Sequence, residues 1–278
     1  MYCDVDGLRV YYEEFGEGAP VVMIHGYGID HNVMIGCMEP VFERRPGYRR
    51  IYFDLPGMGR TRAPGHVMSS DQILDTVIGF CEKIVPCGTF LVAGESYGGY
   101  LARGMVRRSP DRLGGLLVIC PVVIAERAKR ALPERSVFAR DEELLAGIEP
   151  EDRRLFERML VLQDRIRWKR FQQDILPGVR SRDDDFVREL MKNGYPFSFD
   201  VDRLERPFEK PALLLAGRQD ATVGFKDMLK IVDNYPRGTF VVLDRAGHGL
   251  EVEQQTVFEC LVNEWLDRVE EQQCQIKR

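Results

Sequence analysis

The stretch Gly94-Glu95-Ser96-Tyr97-Gly98 decides the reading of this chain. It fits the pattern G-x-S-x-G, and its flanks give it meaning. Thr89–Ala93 before it reads as a buried strand, and Ser96–Ser109 after it reads as a helix halted by Pro110. A sharp strand-to-helix turn forces the serine into a strained conformation, and a glycine two residues away on each side leaves room for the crowded backbone. The hydroxyl then projects above the sheet at a helix N-terminus, where the dipole favours developing negative charge. With 26 glycines and seven serines in 278 residues, chance placement yields about 0.06 such motifs even before the flanks are required.

A serine nucleophile needs a base, and the chain offers four histidines. His25 sits in a glycine-rich loop, His31 at a helix start and His66 beside Pro64-Gly65; hydrogen-bonded or solvent-exposed imidazoles account for these three. His248 stands in Gly247-His248-Gly249, just past the expected strand Thr239–Leu243. The carboxyl end of a strand is where an open α/β sheet places its ligand site, so His248 is the expected base. Asp220 follows the expected strand Ala212–Ala216 and is expected to hold the imidazole in one tautomer. The rivals are weaker: Asp244 and Glu251 are too near His248 in sequence, and Glu126 follows the strand before the break described below. An oxyanion formed on Ser96 attack needs waiting N–H groups. The amide of Tyr97, at the helix start, is one; the loop His25-Gly26-Tyr27-Gly28 supplies the other, from Tyr27 or alternatively Gly26.

Composition narrows the class. Hydrophobic residues make up 44% and charged residues 30%, the balance of a globular chain. A net charge of −5 provides no bulk attraction for nucleic acid or an anionic membrane. Seven cysteines, an odd number with no C-x-x-C pair or metal-ligand spacing, read as free thiols in a reducing cytoplasm. The first residues lack the basic and apolar regions of a secretion signal. The longest apolar run, Leu113 to Ala125, is broken by Gly114, Gly115 and Pro121 and falls short of a membrane span. Oligomeric state is not written in any of these features.

Strands alternate with helices in the first half. Tyr2–Val5 and Leu8–Glu14 flank the turn Asp6-Gly7, and Val21–Ile24, Arg50–Phe53 and Leu116–Cys120 read as further strands. Helices are expected at Asn32–Arg45 and Asp71–Val85. This rhythm implies crossovers and a mostly parallel sheet. From Val122 to Pro207 it stops. No convincing strand appears there, and 18 basic and 18 acidic residues crowd into the segment. Leu155, Met159, Leu162 and Ile166 predict one amphipathic helix over Glu151–Ile175, and Ser181 with Asp184 predicts a capped second one ending at Gly194. The rhythm resumes with strands at Ala212–Ala216 and Thr239–Leu243 and helices at Val223–Asn234 and Glu251–Glu270. The expected organisation is a core of residues 1–121 and 208–278, split by a helical insertion at 122–207.

These signatures together resemble the α/β-hydrolase superfamily over nearly the whole chain. The matching stretches are H-G-Y-G at 25–28, D-L-P-G-M-G-R-T at 54–61, G-E-S-Y-G-G at 94–99, the strand followed by Asp220, and G-H at 247–248. The resemblance implies an α/β fold with an eight-stranded, mostly parallel sheet flanked by helices, and a helical cap over the site. It also implies a structural role for Asp54. Branches that use H-G-G-P-G, or an aspartate at the position of Ser96, do not fit.

The expected activity is a cofactor-independent, metal-independent serine hydrolase cleaving an ester-like carbonyl of a small or medium acyl substrate. A C–C bond hydrolase, lactonase or aminopeptidase could use the same three residues, and a ligand-sensing module with little turnover is the reading from a different class. In the insertion, Trp168, Phe171, Tyr195, Phe197 and Phe199 could roof a pocket, although core packing between the helices is the simpler use. Arg165, Arg167 and Arg170 could meet an acidic substrate, although ion pairs within the insertion are the simpler use. Glu95, next to Ser96, could bind a polar group of the substrate.

Overall fold

The computed structural model describes residues 1–65 and 68–276, so His66 lies outside the described residues. The first half builds β1 (Tyr2–Val5), β2 (Leu8–Phe15), β3 (Ala19–Ile24), α1 (Asn32–Phe42), β4 (Tyr48–Phe53), α2 (Ser70–Ile84), β5 (Phe90–Glu95), α3 (Tyr97–Arg108) and β6 (Leu113–Ile119). The middle segment holds β7 (Ala139–Arg140), α4 (Glu142–Ala146), α5 (Pro150–Met159), β8 (Leu162–Gln163), α6 (Arg165–Asp174), α7 (Leu176–Ser181) and α8 (Asp184–Asn193). The chain returns to the sheet with β9 (Ala212–Gly217) and β10 (Gly238–Leu243), then α9 (Leu250–Glu253) and α10 (Gln255–Ile276).

Among the described residues the main sheet has eight strands in the order β1-β2-β4-β3-β5-β6-β9-β10. Only β1 and β2 run antiparallel to their neighbours; the rest are parallel, as expected of a sheet covered on both faces. Val21–Ile24 and Leu116–Ile119 are completely buried, which is why their sequences are unbroken apolar runs. The β1–β2 hairpin turns at Asp6-Gly7, both at positive φ (51° and 86°). Chain order reverses between β3, whose next strand lies on one side, and β5, which lies on the other. That switch point opens a crevice at the carboxyl ends of β3 and β5.

The middle segment departs from the sequence reading in three places. It contains one two-residue strand pair, β7 with β8, where no strand was expected. The single helix expected over 151–175 is two. The carboxylate of Glu253 accepts hydrogen bonds from the amides of Val161 and Leu162, the latter at 2.9 Å, and Asp164 starts a new helix by accepting from Arg167 N at 2.9 Å. These tertiary bonds outcompete the helix ladder that the apolar spacing favoured. Ser181 does not cap α8: it ends α7, and Asp183 caps α8 through Phe186 N. Past the segment, the helix expected over 223–234 shrinks to a 3-10 turn at Asp227–Asn234. The Thr222 and Val223 amides are committed to Asp220 Oδ1 and leave that stretch as a loop. The last helix is split at Gln254 into α9 and α10.

The middle segment touches the loops at the carboxyl ends of the strands. Asp183 N donates to Gly57 O and His248 N to Met159 O, each at 2.9 Å. No helix among the described residues is long and apolar enough to cross a membrane.

Candidate active site

Ser96 stands between β5 and α3 with φ 53° and ψ −111°, a conformation costly for a residue with a side chain. Local packing over-determines it. A side chain on Gly94 would lie 2.3 Å from Gly98 O, and one on Gly98 would lie 2.1 Å from Ile24 O, so both must be glycine for the turn to close. The Ser96 side chain makes no capping bond to its own helix. Its Oγ instead meets His248 Nε2 at 3.0 Å.

The other ring nitrogen, His248 Nδ1, lies 2.8 Å from Asp220 Oδ2. Asp220 is completely buried, and its second oxygen accepts from Thr222 N at 2.8 Å and Val223 N at 3.1 Å. Burial pushes the Asp220 pKa up, but the charge and hydrogen bond of His248 and the two amides outweigh it and hold the group below the usual carboxylate range. When the ring is neutral, an ionised Asp220 accepts from Nδ1–H, which leaves Nε2 to accept from Ser96. Burial pulls the His248 pKa down, yet Asp220, Glu95 and Glu251 together lift it to about 9. Ser96 and His248 each retain 7% exposure, so the dyad has a narrow path to solvent.

The H-G-Y-G loop is held by His25. Leu55 N donates to His25 Nε2 at 2.9 Å, so Nδ1 carries the proton and donates to Gly26 O at 2.7 Å. Gly26 packs directly on the elbow: a Cβ there would sit 3.3 Å from Ser96 Cβ and 2.0 Å from Glu95 Oε2. The phenol of Tyr27 donates to Val187 O in α8, tying this loop to the middle segment. Tyr97 points its phenol away from Ser96 to Ser70 Oγ at 2.6 Å, leaving its amide at the first position of α3. His31 and Asp54 pair at 2.7 Å, and Asp54 also accepts from the amides of His31 and Arg60. That network fixes the loop after β4 rather than the site.

The aromatic residues of the middle segment divide. Tyr195 packs on both Tyr27 and Tyr97, with ring centroids 5.4 and 5.0 Å away. Phe197 packs on Tyr100 of α3 at 4.2 Å. Trp168 and Phe171 pack on Phe156, each at 5.2 Å, joining α5 to α6. Arg165, Arg167 and Arg170 reach Asp141, Asp164 and Asp174, so each spends its charge within the segment.

Three side chains near the site were not foreseen. Glu251, weighed only as a rival partner for the imidazole, is 1% exposed, and its Oε2 is buried without a hydrogen-bond partner among the described residues. Glu253 accepts from Gly247 N as well as from Val161 and Leu162, so one buried carboxylate joins the His248 loop to the middle segment. The alternation Leu250-Glu251-Val252-Glu253 looks like an exposed helix start, and only tertiary context buries it. Cys120 follows β6 at φ 43°, and its thiol lies near Gly247 O at 3.7 Å. Ligand atoms of Cys120, Asp220 and His248 lie within 4.8 Å of one another. The Asp220–His248 hydrogen bond already accounts for much of that proximity, and a metal ion would have to displace its proton.

Comparison with known proteins places this geometry. A family model described as the alpha/beta hydrolase family matches residues 21–259. The chain is 26% identical over 259 residues to a pimeloyl-[acyl-carrier protein] methyl ester esterase of Aeromonas hydrophila, covering 87% of this chain and 92% of that protein. It is 24% identical over 265 residues to a 2-hydroxymuconate semialdehyde hydrolase of Pseudomonas sp., covering 94% and 91%. The crystal structure of an alpha/beta superfamily hydrolase from Oenococcus oeni superposes with a TM-score of 0.85 at 30% identity, covering 94% of this chain and 96% of that one. A match over residues 21–259 spans most of the molecule, and the chain belongs to the alpha/beta hydrolase family.

Proposed function

We propose that the protein is a serine hydrolase that cleaves an ester-like carbonyl bond of a small or medium acyl substrate through an acyl-enzyme on Ser96. One observation carries the reading: Ser96 Oγ, His248 Nε2, His248 Nδ1 and Asp220 Oδ2 form a continuous buried chain with links of 3.0 and 2.8 Å. In the first half-reaction Ser96 Oγ attacks the carbonyl carbon while His248 Nε2 takes its proton. The same nitrogen then returns that proton to the leaving group as the acyl bond breaks. Water repeats the sequence on the acyl-enzyme and frees Ser96. Asp220 holds Nδ1–H and stabilises the imidazolium. The Tyr97 and Tyr27 amides, at the switch point between β5 and β3, hold the oxyanion. Neither cofactor nor metal enters these steps. Residues 122–207 act as the cap, with Tyr195 against the two oxyanion tyrosines and Met159 O holding the amide of His248.

Among the described residues Arg127, Arg130 and Arg158 have no carboxylate partner, which supports an anionic group on the substrate. Arg127 and Arg130 reach backbone carbonyls, both meeting Thr222 O, at 3.5 and 2.9 Å. Arg158 is pushed below the usual guanidinium range by surrounding protein and by Arg127 and Arg182. Arg182, already paired with Asp184 at 2.8 Å, also places Nη1 3.3 Å from Gly28 O. Gly28 follows β3, the neighbour of β5, and Thr222 follows β9, two strands away on the other side. A nitrophenyl half-ester of a dicarboxylic acid should be preferred over a neutral nitrophenyl ester of equal length. Arg158→Ala should erase that preference without slowing the neutral ester.

The function itself is tested with short-chain nitrophenyl esters. Turnover by the native protein and its loss in Ser96→Ala, by about 10⁴-fold or more, is the expected result. Tight ligand binding with no Ser96-dependent release would favour the sensing module instead.

A further inference from the structure

Glu95 occupies the position before Ser96 and is 3% exposed. Its Oε1 lies 3.6 Å from His248 Nε2, the same nitrogen that faces Ser96. Its Oε2 is buried beside Gly26 with no hydrogen-bond partner among the described residues. An unsatisfied carboxyl oxygen in the interior costs stability, and an apolar residue would fill the space without that cost.

The charged and titratable groups around the ring come from five elements. Asp220 follows β9, Glu95 ends β5, Glu251 begins α9 and Cys120 follows β6. Arg170 and Asp174, from α6, pair with each other at 2.6 Å and act on Glu251. Burial keeps the Cys120 thiol protonated. Three carboxyl groups thus act on the ring, Asp220 at Nδ1 and Glu95 toward Nε2, with Glu251 as the third.

We propose that Glu95 is a positioning residue that supports the His248 imidazolium from the Nε2 side, complementing what Asp220 does at Nδ1. This rests on the reading of Ser96 as the nucleophile and His248 as its base. When Nε2 takes the serine proton the ring becomes a cation, and a carboxylate 3.6 Å away in a water-poor site stabilises that cation. The proton still passes from Ser96 to Nε2 to the leaving group; Glu95 changes only the energy of the charged ring. Burial raises the Glu95 pKa to about 8, with His248 opposing, so Glu95 and His248 share protons over the same range and titrate as a unit. The most active form has a neutral ring beside an ionised Glu95, and it is populated as pH rises.

Glu95→Gln keeps the shape and removes the charge. The acid limb of kcat/KM is expected to move down by at least about half a pH unit, and the alkaline plateau to fall about three- to tenfold. Glu95→Asp, which keeps the charge but withdraws it, should lie between Gln and native protein. Ring titration by NMR of labelled histidine, in a Ser96→Ala background, reads the same coupling without turnover. There Glu95→Gln should lower the His248 midpoint by a similar amount. If turnover depends on Ser96 but neither the acid limb nor the ring midpoint moves in folded Glu95→Gln, this proposal is wrong. If the midpoint moves but no Ser96-dependent turnover exists, the hydrolase reading fails while the coupling stands.

Discussion

The loops at the carboxyl ends of the strands and the helical segment above them use the same charged residue types in opposite ways. At the carboxyl ends of the strands, Glu95, Asp220, His248 and Glu251 are buried, so each charge acts on its neighbours through protein rather than water. In the segment most charges meet near the surface. Arg188 and Asp185 approach to 2.8 Å with 71% and 89% of their side chains exposed. An ion pair of that kind contributes little, because water and salt screen it and two long side chains must be ordered to hold it. The difference teaches that charge density marked the segment in the sequence, while chemistry concentrates where charge is sparse and dry.

Substitutions in the two regions should therefore differ by orders of magnitude. Asp220→Asn keeps an oxygen for the Thr222 and Val223 amides but turns an uncharged NH2 donor toward Nδ1, which favours the wrong tautomer; kcat should fall about 10³–10⁴-fold with the fold intact by circular dichroism. A drop of less than about tenfold would put Asp220 outside the mechanism. Glu253→Ala attacks the seam between the regions, stranding the amides of Gly247, Val161 and Leu162. The expected cost is on the order of 3–5 kcal/mol, read as a Tm lowered by roughly 10 °C. A shift under about 3 °C would mean that the seam is held by other contacts. Arg188→Ala, inside the segment, should leave Tm within about 1 °C and kcat unchanged. A large effect there would break the contrast.

How much the sequence revealed follows the same division. The serine turn, the sheet and the three residues of the Ser96–His248–Asp220 chain obey local rules: an apolar run, a glycine that must be small, a polar residue just past a strand. Those rules survive into the structure because the sheet repeats one geometry. The Asp6-Gly7 turn was legible for the same reason. The break between α5 and α6 was not, because its cause, Glu253, lies about ninety residues away. Glu251 was hidden by spacing that suits an exposed helix, and that Arg127, Arg130 and Arg158 have no carboxylate partner among the described residues appears only once the nearby acids are placed. Trp168 and Phe171 carry no local signal that separates a pocket wall from the helix packing they form with Phe156.

The account stands or falls on Ser96 as an activated nucleophile. Folded protein treated with a fluorophosphonate and analysed by peptide mass spectrometry should carry the adduct on Ser96. Labelling should vanish after denaturation and drop sharply in His248→Ala. Folded native protein with no adduct on Ser96, or an adduct that forms equally without His248, would contradict it.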